Sequence, residues 1–221
     1  MKNLSFELNE GMMQTIENDF SPEKIGKEYC NLVKDKNDVE IEKIGVNFFK
    51  NYGQKLMEKS LDLGERFPDR TYEILRENAD RTNSMYFPLI PQRFIEIAFL
   101  SIQRIPVLKV IENNSRNFLF KVENCKVYKN VEKNCGNKIA RLMLCRHGCL
   151  ELCRIAFKGF GINQSELKFD MLEKTNEKGF CLFQVSKMGG KFEWKNFPEK
   201  IIYAKKKRGK ITTADAIDYR E

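Results

Sequence analysis

The stretch VLKVIENNSRNFLFKV, residues 107–122, decides the fold that this sequence predicts. Two short apolar segments, 107–111 and 118–122, flank a polar stretch rich in asparagine, which is the pattern of a β-hairpin. A second hairpin is indicated by residues 167–175 and 180–185, which flank a turn at 176–179. The two hairpins together predict four antiparallel strands.

Helical patterns surround these strands. Before Pro106, apolar residues recur at helical spacing, as in the stripe formed by Ile44, Phe48 and Tyr52. Between the hairpins, residues 137–158 predict one long helix that ends before Gly159. The expected fold class is α+β, with an N-terminal helical layer packed on a four-stranded antiparallel sheet in β-β-α-β-β order.

The charge distribution separates a C-terminal arm from this domain. Residues 187–210 carry nine Lys or Arg and two Glu, which accounts for seven of the eight net positive charges of the chain. We expect one α+β domain at 1–187, helical at about 1–105 and ββαββ at about 106–187, followed by a basic arm at 188–221. A weak, unspecific polyanion contact is one interpretation of the arm, and a solvated terminus is the other. The contact residues would be Lys205, Lys206, Lys207 and Arg208.

Targeting signals and cysteine content indicate the compartment. The first residues lack a basic cluster followed by an apolar run, and no eighteen apolar residues occur together. We therefore expect a cytoplasmic protein without a membrane span. Seven cysteines in a reducing compartment predict core thiols, metal ligands or reactive groups instead of structural disulfides.

Three of the cysteines are spaced for one helical face. Cys145, Cys149 and Cys153 lie four residues apart, so they either line the core side of the helix or bind a ligand. Residues eight apart on a helix differ by about 12 Å in rise, which is too far for one zinc ion. A neighbouring pair could bind a metal together with Cys125 or Cys181.

The single histidine falls between two of these cysteines in sequence but not on their face. His147 follows Cys145 by two residues, which places it on the polar side of a regular helix. Nucleophilic Cys–His chemistry is therefore disfavoured, unless a helix that starts at Gly148 leaves Cys145 and His147 on a loop. No catalytic residue is predicted.

Several short motifs resemble known families. VENC at 122–125, a helix cysteine at Cys145 or Cys149, and GFCLF at 179–183 make residues 44–187 resemble the 4-vinyl-reductase-type domain. That domain looks related to the haem-NO-binding fold and to the Bet3-type subunits of the TRAPP tethering complex. Residues 145–185 are also similar to part of the L-2-amino-thiazoline-4-carboxylic acid hydrolase family.

The resemblance implies a metal site and a pocket. In metal-binding members the ligands are a helix cysteine, a glutamate, a cysteine three residues after that glutamate, and another cysteine eight residues further on. At the last three of these positions this chain has Asp170, Glu173 and Cys181. The implied cofactor is zinc or iron, and the implied ligands are Cys145, Cys149, Glu173 and Cys181. The resemblance also implies a small-molecule pocket between helices and sheet. Its lining would be Phe99, Cys153, Phe157, Phe169 and Phe183, which the alternative interpretation assigns to ordinary core.

Three functions remain open at this point. The first is a small-molecule- or cofactor-binding domain of the sensory type, with a small-molecule ligand as its partner. The second is a cysteine- or metal-dependent hydrolase of a small cyclic C–S or C–N compound. The third is a tethering or adaptor protein. Homodimerisation is left open in all three cases.

Overall fold

The computed structural model describes residues 5–82, 87–162, 164–173 and 179–188. These residues form eight α-helices, a short 3-10 helix and four β-strands. In chain order the elements are α1 (Glu10–Asp19), α2 (Pro22–Val33), α3 (Asp38–Arg66), α4 (Arg70–Thr82), α5 (Leu89–Gln103), β1 (Lys109–Asn113), β2 (Asn117–Glu123), α6 (Lys126–Cys135), α7 (Asn137–Leu142), α8 (Arg146–Gly159), the 3-10 helix (Gln164–Glu166), β3 (Leu167–Glu173) and β4 (Phe180–Lys187).

The predicted α+β class is confirmed. The four strands form one antiparallel sheet in the order β1-β2-β4-β3, and five helices precede it in the chain. Both predicted strand pairs are present, since β1 pairs with β2 and β3 pairs with β4. The first turn is held by Asn114, whose Oδ1 accepts hydrogen bonds from the backbone N–H groups of Arg116 and Asn117, both at 2.8 Å. No helix in the described part of the chain is long and apolar enough to cross a membrane.

The larger of two hydrophobic cores lies between the sheet and α5. Alternate residues of β2 are buried, as a sheet with one covered face requires. Phe120 of β2 stacks on Phe183 of β4 with ring centroids 5.4 Å apart, and Phe99 of α5 meets Phe120 edge-on at the same distance. The second core lies among α2, α3, α6 and α7, where Tyr29 packs against Phe49 and Val131 is fully buried. The molecule thus has two apolar centres that meet along α3.

The prediction of one helix over 137–158 is wrong. That segment is divided into α7 and α8, and a further helix, α6, precedes it. Leu144, between α7 and α8, has a φ of 48°, and Gly136, between α6 and α7, has a φ of 84°. A helix cannot continue through residues in this left-handed region. The break brings Met143 onto α3, where a Cβ on Gly45 would lie 2.2 Å from the Met143 carbonyl oxygen.

The start of α8 packs backbone to backbone against α3. A Cβ on Gly53 would lie 2.0 Å from the carbonyl oxygen of Gly148, and a Cβ on Gly148 would lie 2.6 Å from that of Phe49. Only glycine permits so close an approach. Gly148 is therefore a packing residue in the first turn of α8, which begins two residues earlier at Arg146.

A buried ion pair fixes the corner between α3 and α4. The Arg93 side chain is fully buried, and its Nε donates to Asp69 Oδ2 at 2.5 Å. Its Nη1 and Nη2 donate to the carbonyl oxygens of Gly64 and Phe67, at 3.0 and 2.8 Å. The other oxygen of Asp69 accepts from the backbone N–H of Tyr72. Every nitrogen of the guanidinium therefore has a partner.

A cysteine cluster as the candidate functional site

Four free cysteines from four positions in the chain approach one another, and we call them the thiol cluster. Cys125 precedes the first residue of α6, Cys145 precedes the first residue of α8, Cys149 lies one turn into α8, and Cys181 is the second residue of β4. All four residues are partly buried. The cluster therefore combines the helix that the sequence singled out with the end of the sheet.

The sheet positions two of the four thiols. Cys181 pairs with Val122 of β2, and it shares the covered face of the sheet with Phe183, two residues later. The backbone N–H of Asn124 donates to the carbonyl oxygen of Gly179 at 3.3 Å, which keeps the end of β2 beside the start of β4. Cys125 follows directly, so both cysteines lie at the same end of the sheet.

Gln103, the last residue of α5, holds the start of α6 in place. Its Oε1 accepts from the backbone N–H of Lys126 at 2.6 Å, and its Nε2 lies 3.7 Å from Cys125 Sγ, within hydrogen-bond range for sulfur. The same side chain thus caps a helix and contacts a thiol. Gln103 was not predicted, and nothing in its local sequence pattern indicated this role.

The thiol cluster lies where the two cores meet. Cys149 and Cys181 pack against the larger core, whereas Cys125 and Cys145 pack against the smaller one. Tyr52 of α3 packs against both cores, and its hydroxyl donates to the carbonyl oxygen of Phe20 at 3.3 Å. A change in the packing of the thiol cluster would therefore alter contacts in both cores.

Burial and mutual interaction raise the pKa values of three of these thiols. Burial raises the pKa of Cys125, and it raises the pKa values of Cys145 and Cys149 well above their usual range. In each case neighbouring thiols add to the rise. Taken together, these effects connect each of the four thiols with the other three, Cys181 included.

Nucleophilic chemistry is not favoured by this environment. A thiol whose pKa is raised stays protonated at neutral pH, and the thiolate is the reactive form. His147, in the first turn of α8, has a pKa lowered by burial and by the positive charges of Arg146, Arg154 and Lys50. Its surroundings are cationic, which does not suit a base that must carry a proton away from a cysteine.

The described residues contain no group of three or more His, Cys, Asp or Glu side chains positioned to hold a metal ion. The predicted ligands Cys145, Cys149, Glu173 and Cys181 are all among those residues. After a β-bulge, Glu173 pairs with Leu182 instead of Cys181. Neighbouring strand residues face opposite sides of a sheet, so Glu173 lies on the face of Leu182 and not on the face of Cys181. Cys125 and not Glu173 is therefore the fourth member of the cluster. Zinc or iron binding stays a prediction.

The residues predicted to line a pocket belong to the larger core. Phe99, Cys153, Phe157 and Phe183 are almost fully buried, and Phe169 is partly buried. Their rings pack on one another, with centroids 5.9 Å apart for Phe157 and Phe169 and 6.3 Å for Phe99 and Phe183. Burial raises the pKa of Cys153 to about 12. The positions fit both interpretations, and the small-molecule pocket stays a prediction.

The remaining two cysteines form a disulfide, which the sequence argument did not expect. Cys30 of α2 and Cys135 of α6 are bonded, with Cα atoms 5.7 Å apart and a separation of 105 positions in sequence. The bond joins two helices that pack together in the smaller core. Because the partners are so distant in sequence, their spacing carried no signal. The residues proposed for polyanion contact, Lys205, Lys206, Lys207 and Arg208, lie outside the described residues.

Comparison with known proteins gives no relative: no protein-family model, no curated protein and no solved structure matches this chain. The resemblances to the 4-vinyl-reductase-type domain, to its relatives and to the hydrolase family therefore stay predictions.

Proposed function

We propose that this protein is a cofactor-binding domain of the sensory type, and that the thiol cluster holds a thiophilic metal cofactor. The observation that carries the proposal is that four free thiols from three segments of the chain lie where the two cores meet, Cys149 and Cys181 against the larger core and Cys125 and Cys145 against the smaller one. Packing alone does not require four sulfur atoms at one place. Thiolates select zinc, copper(I) and iron–sulfur centres over harder cations, so the donor set fits a soft metal.

The backbone around the cluster supports a charged, metal-bound form. Two helices, α6 and α8, begin directly after Cys125 and Cys145, and neither cysteine makes a side-chain capping hydrogen bond. A helix N-terminus carries partial positive charge and stabilises a nearby anion. The backbone N–H groups of Tyr128 and Val127 act against the effect of burial and lower the pKa of Cys125, so they would favour its charged form. Four thiolates around a metal would thus meet two helix N-termini.

A bound metal would replace protons at the thiol cluster. The raised pKa values of the thiols mean that the ligands are protonated without metal, so binding releases protons and strengthens as pH rises. Occupancy would tie α6, α8 and β4 to one centre. Because the cluster joins both cores, occupied and empty states would differ in how tightly the halves of the domain are held. This coupling is what a sensory function needs.

The experiment is elemental analysis of the untagged full chain, purified under reducing, oxygen-free conditions. We expect stoichiometric thiophilic metal in the wild type and loss of that metal in Cys125→Ser, Cys149→Ser and Cys181→Ser. Cys153→Ser is the matched control, because its sulfur lies one turn beyond Cys149, inside the larger core. It should keep the metal.

A Cys30→Ala/Cys135→Ala background removes the two disulfide cysteines from the measurement. Circular dichroism of each variant confirms that lost metal is not lost fold. A wild type that contains no metal, even after incubation with zinc or with ferrous iron and sulfide, would contradict the proposal. Equal metal content in the cluster variants and in Cys153→Ser would contradict it as well.

A further inference from the structure

We infer that the Cys30–Cys135 disulfide is a redox-sensitive latch, which fixes the corner between α6 and α7 and whose reduction opens that corner while both cores stay folded. The inference depends neither on the thiol cluster nor on the proposed function. Its starting point is the position of the bond, which joins the last turn of α2 to the last residue of α6. The two ends of the bond differ in how firmly they are packed.

The α2 end of the bond is held by the smaller core. Tyr29 and Val33, which precede and follow Cys30, are buried, and the Tyr29 hydroxyl donates to a carbonyl oxygen of α3 at 3.3 Å. One turn earlier, a Cβ on Gly26 would lie 3.0 Å from the Cβ of Asn130, so α2 packs closely on the middle of α6. The contact between the two helices at this point does not depend on the bond.

The α6 end, by contrast, lies in an exposed corner. Residues 133–138 are all exposed except Cys135, which is partly buried. Gly136, with a φ of 84°, ends α6 directly after the bond. Lys138 Nζ pairs with Asp38 of α3 at 2.7 Å, but both side chains are more than half exposed, so this pair adds little. The disulfide is therefore the main tie that the described structure shows between this corner and the body of the domain.

Buried residues on both sides limit how far the corner can open. Val131, four residues before Cys135, is fully buried in the smaller core, and Ala140, five residues after it, is 2% exposed. Further along the chain, Met143 packs against Gly45 of α3. An opened corner would therefore comprise residues 132–139, and the packing on either side would persist. Local opening of a short segment with few buried contacts needs far less free energy than global unfolding.

The pattern of cysteine pairing fits a bond that opens and closes. In domains stapled by disulfides most cysteines are paired, whereas five of the seven cysteines here are free thiols. Cys30 and Cys135 are both partly exposed to solvent, so a thiol from solution can reach the bond. These two features distinguish the bond from a buried structural disulfide.

Reduction proceeds by thiol–disulfide exchange with a dithiol reductant. A thiolate of the dithiol attacks the sulfur of Cys135, the S–S bond breaks, and Cys30 leaves as a thiolate that takes up a proton. The second thiol of the reductant then attacks the mixed disulfide and releases Cys135, which is protonated in turn. The dithiol becomes a disulfide, and the two electrons and two protons that it loses are gained by the two cysteines.

The test is hydrogen–deuterium exchange of the full chain at neutral pH, followed by mass spectrometry of peptides, before and after reduction with dithiothreitol. Thiol titration in denaturant defines the two states, with five thiols per chain before reduction and seven after it. We expect residues 132–139 to exchange at least about tenfold faster after reduction. Amides of α5 and β2 should stay protected in both states at labelling times of seconds to minutes. Oxidised glutathione, added after removal of the reductant, should restore slow exchange.

The Cys30→Ala/Cys135→Ala variant is the matched control, because it lacks the bond and keeps the five free thiols. Its corner should exchange at the fast rate both with and without dithiothreitol. Slow exchange of the corner in the reduced wild type would overturn the inference, since packing alone would then hold the corner. Loss of protection in α5 and β2 together with the corner would overturn it as well, since the bond would then hold the whole domain. Seven free thiols after treatment with oxidised glutathione would show that no latch forms.

Discussion

The Arg93–Asp69 pair and the thiol cluster are two groups of polar or ionisable side chains within the same fold, and they differ in how their polarity is satisfied. Arg93 donates to a carboxylate and to two backbone carbonyl oxygens, so its burial is compensated within the chain. In the thiol cluster, by contrast, each neighbouring thiol opposes ionisation of the others. The Arg93–Asp69 pair is therefore charged and compensated within the chain, whereas the raised pKa values of Cys145 and Cys149 keep those thiols uncharged.

This difference is consistent with the proposed function, in which the ion pair is structural and the thiol cluster binds a cofactor. The desolvation cost of a buried structural group such as Arg93 is offset by fixed hydrogen-bond partners within the chain. At the thiol cluster, Gln103 Nε2 lies within hydrogen-bond range of the Cys125 sulfur, and two helices begin directly after Cys125 and Cys145. Neighbouring thiols oppose ionisation of Cys125, Cys145 and Cys149. Under the proposed function, a bound metal would replace the thiol protons, which would pass to solvent.

The largest expected effect comes from breaking the ion pair. Asp69→Asn leaves the positive charge of Arg93 buried without its counter-charge, which should lower the free energy of unfolding by about 3–5 kcal/mol. Asp62→Asn is the matched control, because Asp62 pairs with Arg66 on the exposed surface of α3. That pair should contribute about 0–1 kcal/mol. Urea denaturation measures both, and equal losses would show that the Arg93 site is not the internally compensated group described above.

The sequence predicted more of the fold than of the candidate site. Strand alternation at Phe118, Phe120 and Val122 depends on local pattern, and the sheet followed from it. The division between α7 and α8 depends on the left-handed Leu144 and on the contact of Met143 with Gly45, which is tertiary. A sequence with strong helical periodicity cannot reveal such a break.

The site was partly predictable for the same reason. Spacing brought Cys145 and Cys149 together on one helix, and that grouping is present. Convergence with Cys125 and Cys181 depends on strand register, and the β-bulge before Glu173 turns the expected carboxylate to another position. The Cys30–Cys135 bond depends on packing of α2 against α6, 105 residues apart. Long-range register and helix packing are what single-sequence patterns leave out.

An intermediate effect is expected from Glu96, which interacts with both members of the ion pair. Burial raises its pKa to about 7, and its carboxylate accepts from Gln92 Nε2 at 2.6 Å. The folded state therefore retains a proton that the unfolded state, with a pKa near 4.5, loses first. Stability should be greatest below pH 4.5 with respect to this group, fall between about pH 4.5 and 7, and then level off, with a total loss of about 3 kcal/mol.

Glu96→Gln should remove this pH dependence, because glutamine cannot ionise. Glu58→Gln is a matched control, since Glu58 accepts from Gln54 four residues earlier, as Glu96 does from Gln92, but on an exposed helix surface. Denaturation between pH 4.5 and 8 compares the two. If the slope of the wild type survives in Glu96→Gln, another group beside the ion pair is responsible for it.

The smallest effect is expected at the thiol cluster in metal-free protein. Cys149→Ala removes one sulfur atom from the edge of the larger core, which should lower the free energy of unfolding by about 1 kcal/mol, the usual result of a small cavity. Under metal-bound conditions the difference in free energy of unfolding between the wild type and Cys149→Ala should be far larger, because a metal that binds only the native state stabilises the wild type. Thermal unfolding with and without a metal chelator measures both differences. A loss as large in chelated protein as in metal-bound protein would mean that Cys149 acts through packing, and the contrast with Arg93 would disappear.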